Sequence, residues 1–193
     1  MVKFQVTMLL ILICTSMFVS CEYASNVMKD PRNPRPPDPI IDPPMDGPFV
    51  VINELMADND NTVPDPQGDY DDWLELYNRT ESPITLTGMY LSDKEDNPTK
   101  WQFPEGTEIP ANGYLIVWLD EDHDDETANE GLHANFKLSK SGETVMLVDT
   151  DTQGNTVLDS VTFEEQETDV SFGRIPNGTG EFQVVIATPG AAN

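Results

Sequence analysis

The chain has 193 residues, 38% hydrophobic and 8% aromatic, enough for one packed domain of ordinary size with additional segments. Asp and Glu number 35 against 10 Lys and Arg, a formal charge of −25 at neutral pH. That imbalance argues against nucleic acid as a partner, since phosphate binding depends on Lys and Arg, and it favours divalent cations or a basic partner.

The first segment, MVKFQVTMLLILICTSMFVSC, has a positive start at Lys3 and an apolar run of signal-peptide length that stops at Cys21. It is too short for a comfortable membrane span. Val19 and Ser20 before Cys21 resemble the lipobox of bacterial lipoproteins, with Phe18 where leucine is usual. The resemblance implies that residues 1–20 are a lipoprotein signal peptide, cleaved before Cys21, with lipid attached at Cys21. It also implies a place in the bacterial cell envelope. By the same resemblance to bacterial lipoproteins, Glu22 rather than Asp after Cys21 implies the outer membrane or the cell surface. An ordinary secretory signal with an incidental cysteine is the alternative. Cys14 lies within the signal, so the mature chain has no pair of cysteines for an internal disulfide.

Residues 21–48 follow, with eight prolines between Pro31 and Pro48. Proline fixes φ and removes a donor, so this segment reads as an extended, disordered tether with a reach on the order of 80 Å. From Phe49 the pattern is β throughout: FVVINELMA, DWLELYN, ITLTGMYLSD, KWQF, GYLIVWLD, ANFKLS, ETVMLVDT, NTVLDSVTF, VSFGRI and EFQVVIA. Turn-forming clusters such as PDPQGD, PANG, KSGE and PNGTG separate them, and no segment carries a sustained helical stripe. Short strands at this spacing predict an all-β sandwich or barrel.

INELMADN (52–59), DDWLELYN (71–78), GMYLSD (88–93), KWQFPEGTEIPANGYLIVW (100–118), ANFKLSKSGETVMLVD (134–149), SFGRIPNGTGEFQ (171–183) and the final ATPGAAN resemble, in that order, the lamin-tail domain. Leu55 and Leu74 stand where isoleucine is frequent, and the acidic loop around 120–130 is longer. The resemblance covers residues 49–193 and implies an immunoglobulin-like β-sandwich of about nine strands. It also implies a module that binds or tethers, as lamin tails serve as interaction platforms.

In DWLELYN, Trp73, Glu75 and Tyr77 share one face and Leu74 and Leu76 the other, as in an inner strand. Glu75 and Glu54 then need partners, and Arg174 is expected to pair with one of them as a structural clasp. Asn53 and Asn78 are expected to hydrogen-bond loop backbone. Trp101 and Trp118 read as core residues, or, if exposed, as a sugar or peptide platform.

Catalytic sets are absent: there is no GxSxG, no HExxH and no phosphate loop, and His123 and His133 fit no zinc spacing. Paired carboxylates carry no signal in a chain with 35 acids. Calcium is the serious site hypothesis, with Asp58, Asp60, Asp69 and Asp71 in one acidic loop and Asp120, Asp122 and Asp124 in another. Solvated loop rims are the alternative. DTDTQGN (149–155) places Gly154 as an EF-hand would but has Ser160 where the bidentate glutamate belongs, so it reads as a β-turn. The sequence therefore predicts a non-catalytic, lipid-anchored envelope protein that needs no cofactor and binds an envelope protein or a glycan. A calcium-binding structural or adhesion module is the alternative, and a secreted hydrolase the least supported reading.

Overall fold

A computed structural model describes residues 47–121 and 131–193. The signal segment, the lipid-attachment residue Cys21, nearly all of the tether, and Asp122 and Asp124 lie outside the described residues. The described part is an immunoglobulin-like β-sandwich. Its strands are β1 (Val50–Met56), β2 (Asp72–Asn78), β3 (Ile84–Thr85), β4 (Tyr90–Ser92), β5 (Trp101–Gln102), β6 (Glu108–Ile109), β7 (Tyr114–Leu119), β8 (His133–Ala134), β9 (Gly142–Val148), β10 (Val157–Glu164), β11 (Ser171–Ile175) and β12 (Glu181–Val185). One sheet runs β12-β11-β1-β2-β7-β8, the second β10-β9-β4-β5, and β3 pairs with β6. Pairing is antiparallel except between β7 and β8.

The twelve strands exceed the ten β runs read in the sequence because ITLTGMYLSD divides into β3 and β4, which join different sheets, and because β6 is too short to show alternation. The acidic stretch Asp151–Gln153 is a single 3₁₀ turn between β9 and β10.

Between the two main sheets lie Ile52, Leu55, Leu74, Leu76, Val117 and Leu119 from the larger one and Leu91, Val145, Leu147, Val161 and Phe163 from the smaller. Phe103 and Phe136 complete this core from the connections. Each such side chain contributes roughly 1.5–3 kcal/mol by leaving water. Trp101 is half-buried against the core, with its ring edge-on to Phe103 at 4.8 Å.

Strand β1 holds the irregularity on which the architecture turns. Ile52 pairs with Leu76 and Glu54 with Glu75, so Asn53 is an extra residue with no partner in β2. This bulge inverts the alternation. Ile52 and Leu55, three apart, therefore both enter the core, while Glu54 and Met56 face outward. Residues directly opposite one another share a face. The register of β11 against β1 thus puts Gly173 outward with Glu54, and Phe172 inward with Leu55. Arg174, next but one from Phe172, also points inward.

Arg174 accordingly does not clasp Glu75 or Glu54, which lie on the opposite face of the same sheet. It pairs instead with Asp159 of β10, with Nη2 at 2.9 and 3.1 Å from the two carboxylate oxygens. The pair also serves Ile52, where ladder bonding between β1 and β11 has not yet begun: Asp159 Oδ2 accepts the Ile52 N–H at 2.8 Å, and Arg174 Nε donates to the Ile52 carbonyl at 2.8 Å. Arg174 Nη1 donates to the Gly180 carbonyl, and the guanidinium stacks over Phe182 at 4.5 Å. The clasp therefore joins the two sheets and satisfies both backbone groups of a buried residue.

Arg174→Met is expected to destabilise the domain by about 3 kcal/mol, since it strands a mostly buried carboxylate and an unpaired carbonyl. Replacing Asp159 by Leu in the same chain should recover part of that loss. Urea denaturation of both single variants and the double variant measures the coupling, and additive losses would remove the clasp from the account.

Candidate functional site

The outer face of the larger sheet is the most elaborate surface of the domain. Trp73, Met56 and Trp118 form a small second core there, with Val63, Ile116 and Ala187 packed on it. Further along, Tyr77 stacks on Tyr114 with centroids 4.8 Å apart. Between these aromatic groups Glu54 and Glu75 stand directly opposite each other, both fully buried. Strand pairing makes the opposition unavoidable once the bulge has turned Glu54 outward.

A segment after β12 crosses this face. Thr188 donates its N–H to Glu54 Oε1 at 3.1 Å, and Gly190 donates its N–H to Glu75 Oε2 at 2.6 Å. Asn193 Nδ2 reaches the carbonyls of Asn53 and Arg174 at 3.0 and 3.2 Å. Gly173 sits beneath it: a Cβ there would stand 2.6 Å from Asn193 Nδ2. Asn53 Nδ2 donates to Glu75 Oε1 and to Asn177 Oδ1, each at 3.0 Å, while its Oδ1 accepts the Gly178 N–H at 2.9 Å. Asn78, fully buried, donates to the Ser82, Ile109 and Pro110 carbonyls, so both asparagines hold loop backbone.

A second feature lies at the other end of the same sheet. Six strands face only four, and β12, the edge strand of the larger sheet, overhangs beyond β11, whose Arg174 still reaches the smaller sheet. Phe182 and Val184 lie opposite Arg174 and Phe172 and so share their inward face. Phe172 and Phe182 stack at 5.3 Å, but Val184 is 70% exposed and Ile186 88%. No described strand pairs with the outer edge of β12. A cleft of about 350 Å³ opens beside this overhang, lined by Arg79, Arg174, Asp159, Val51, Pro48 and Thr179 among others. Arg79 donates to the Pro48 carbonyl at 2.9 Å and so fixes the chain where it enters β1.

The acidic residues of the loops make the following contacts within the domain. Asp58 pairs with Lys140 and accepts from Thr168. The hydrogen bond from Lys140 holds its carboxyl below the usual range. Asp60 is exposed, and its N–H goes to Asp169. Asp69 is exposed and closes a turn in which Asp65 Oδ1 accepts the Gly68 and Asp69 N–H groups at 2.7 Å. Asp120 is bonded to His133 Nδ1. Asp71 is raised by burial and by the charge of Asp120. Among the described residues no three His, Cys, Asp or Glu side chains gather as a metal would need.

Sequence reasoning missed Asp159, Thr188 and Asn193, and it missed Asp72. Asp159 was detectable, since in LDSVTF it has the same alternation phase as the buried Val161 and Phe163. Thr188 and Asn193 gave no signal, because only folding brings the final segment over β1 and β2.

Two buried carboxyls carry a predictable pH dependence. Burial pushes Glu75 up to about 7, against the hydrogen bonds from Asn53 and Gly190. Burial likewise pushes Asp72, which accepts the Leu138 N–H at 2.9 Å, up to about 7. Ordinary values are 4.5 for Glu75, which shares its buried site with the likewise raised Glu54, and 3.8 for Asp72, so between these and 7 the folded chain keeps one proton on the Glu54–Glu75 pair and one on Asp72 that the unfolded chain has released. Stability from these groups is thus full at low pH and falls as pH rises toward 7. Asp58 and Asp169 are lowered and act oppositely, losing their contribution only as pH drops below 3.8. Thermal melting is therefore expected to be highest at about pH 5 and to decline toward pH 8. Asp72→Asn should flatten that decline, and an unchanged slope in circular-dichroism melts would contradict the assignment.

A family model described as the Lamin Tail Domain matches residues 43–165, more than half of the chain. No curated protein matches it. The matched region spans β1 to β10, the bulged strand and the whole smaller sheet, in the order the sandwich requires. The chain belongs to the lamin tail domain family.

Proposed function

We propose that the protein is a non-catalytic, lipid-anchored component of the bacterial cell envelope, held through Cys21 at the outer membrane or cell surface, and that its lamin-tail domain binds a protein or glycan partner. Membership of a structural, immunoglobulin-like family supports the non-catalytic part of this reading. The observation that carries the binding part is the overhang of β12, where an edge that no described strand pairs with lies beside exposed Val184 and Ile186. An open edge offers backbone hydrogen bonds, and the apolar strip beside it offers area to bury. The tether gives such a surface its distance from the membrane. Nucleic acid is not among the partners in this reading, because the formal charge of −25 repels it.

Calcium association with the acidic end is the second reading, favoured by the mutual repulsion of Asp65, Asp69, Asp71 and Asp120. Calorimetric titration of Ca²⁺ into the full chain, with melting followed in parallel, tests it; absence of both heat and a melting shift removes it.

Two measurements test the main reading. Palmitate labelling should mark the wild-type chain and disappear with Cys21→Ala. The full chain should bind isolated envelope fractions saturably, with either the protein or the glycan fraction competing. Val184→Lys, a surface change expected to leave stability within about 0.5 kcal/mol, should weaken that binding at least tenfold. Unlabelled wild type would end the anchoring claim, and binding indifferent to Val184→Lys would end the claim for the overhang.

A further inference from the structure

The hydrogen bonds of the crossing segment count protons. Thr188 Oγ1 carries one hydrogen yet lies 2.9 Å from Glu54 Oε2 and 2.8 Å from Asn193 Oδ1. The Asn193 amide cannot be turned over, because its Nδ2 already donates to the Asn53 and Arg174 carbonyls. If Glu54 were ionised, the hydroxyl would face two acceptors and satisfy one. A hydrogen on Glu54 Oε2 satisfies all three groups, with Glu54 donating to Thr188 and Thr188 donating to Asn193.

Glu75 has the opposite requirement. Its Oε1 faces Asn53 Nδ2, and its Oε2 faces the Gly190 N–H. The Asn53 amide is fixed in turn by the Gly178 N–H on its Oδ1. Both Glu75 oxygens must accept, so Glu75 is the ionised member. Two carboxyls held opposite each other in a buried ladder and sharing one proton titrate as a unit.

Among the described residues no cation is placed against the pair. Arg174 lies on the other face of the sheet. From β7 the pair faces Ile116 and the Tyr114 phenol, which accepts from Asn177, and from β2 it faces Tyr77. β11 presents Ser171 and Gly173, the turn after it Asn177, and residues 187–193 bring no charged side chain. Burial raises Glu54, against hydrogen bonds from Ser171 and Thr188.

We propose that residues 187–193 are a proton-dependent strap, closed over the sheet while the acid pair holds one proton on Glu54 and released when that proton is lost. Ionised Glu54 would set a second buried negative charge against Glu75 and leave the Thr188 hydroxyl with two acceptors for one hydrogen. Release moves Ala187 off the Met56, Trp73 and Trp118 cluster and uncovers Trp73, whose indole N–H is buried without a partner. The uncovered surface is an apolar face with one free donor, separate from the overhang beside β12.

Carboxyl ¹³C NMR titration of the full chain, with amide exchange of Thr188 and Gly190 followed alongside, tests the proposal. Glu54 should be the protonated member at neutral pH, and protection of both amides should fall about tenfold as it ionises. Glu54→Gln, whose amide can still donate to Thr188, should keep the strap protected through pH 9. Glu75→Gln, which turns an amide N–H toward a donor, should loosen it already at pH 6. The proposal fails if Glu75 carries the proton, or if the strap amides do not respond when Glu54 ionises. It also fails if both variants loosen the strap equally; should a variant not fold, the wild-type titration decides.

Discussion

A buried strand that gains one residue must find new partners for its backbone, and in this domain that need falls on Ile52. The ladder from β1 to β11 begins only at Glu54, so the N–H and carbonyl of Ile52 are met by side chains, Asp159 from one sheet and Arg174 from the other. Neither could do this alone: a lone buried carboxylate or guanidinium in the interlayer would cost several kcal/mol. Together they neutralise each other, bridge the layers and close the sandwich at the point where its pairing is interrupted. The bulge and the ion pair are two parts of one solution.

The same extra residue has a consequence on the opposite face. By reversing the alternation after Asn53 it turns Glu54 outward against Glu75, so two acids meet in a ladder where hydrophobic residues would pack at less cost. The domain meets this with backbone N–H groups and neutral amides from Asn53, Asn177, Thr188, Gly190 and Asn193. Much of this network lies beyond residue 165, where the match to the family ends. Strand β11 and the strap thus complete a polar system whose acids belong to the matched part.

The acidity of the chain acquires a local meaning as well as a global one. Several carboxylates of the entrance loops act as acceptors for nearby backbone: Asp65 for its own turn, Asp169 for Asp60 and Asn61, Asp72 for Leu138. Such loops use acids as turn chemistry. The remaining charge leaves the chain at a formal −25, which repels other anions. The uncovered apolar strip at β12 is then the feature that solubility alone does not explain.

Alternation, turn residues and block order were sufficient for the sandwich, the inner position of β2 and the family, because those depend on local periodicity and on burial of one face per strand. The short strand β6 was not legible, since two residues carry no period, and of the expected strand ANFKLS only Ala134 lies in a strand, the two-residue β8. The need for a clasp was also readable, from an arginine in an acid-rich chain and two glutamates in apolar strands. Its partner was not, because an unmarked bulge shifts every later side chain of β1 to the other face, and only strand pairing reveals where the shift occurs. The strap over Glu54 and Glu75 was equally hidden: contacts spanning more than a hundred residues are set by how the chain returns across the sheet, and no local pattern in the final residues records that path.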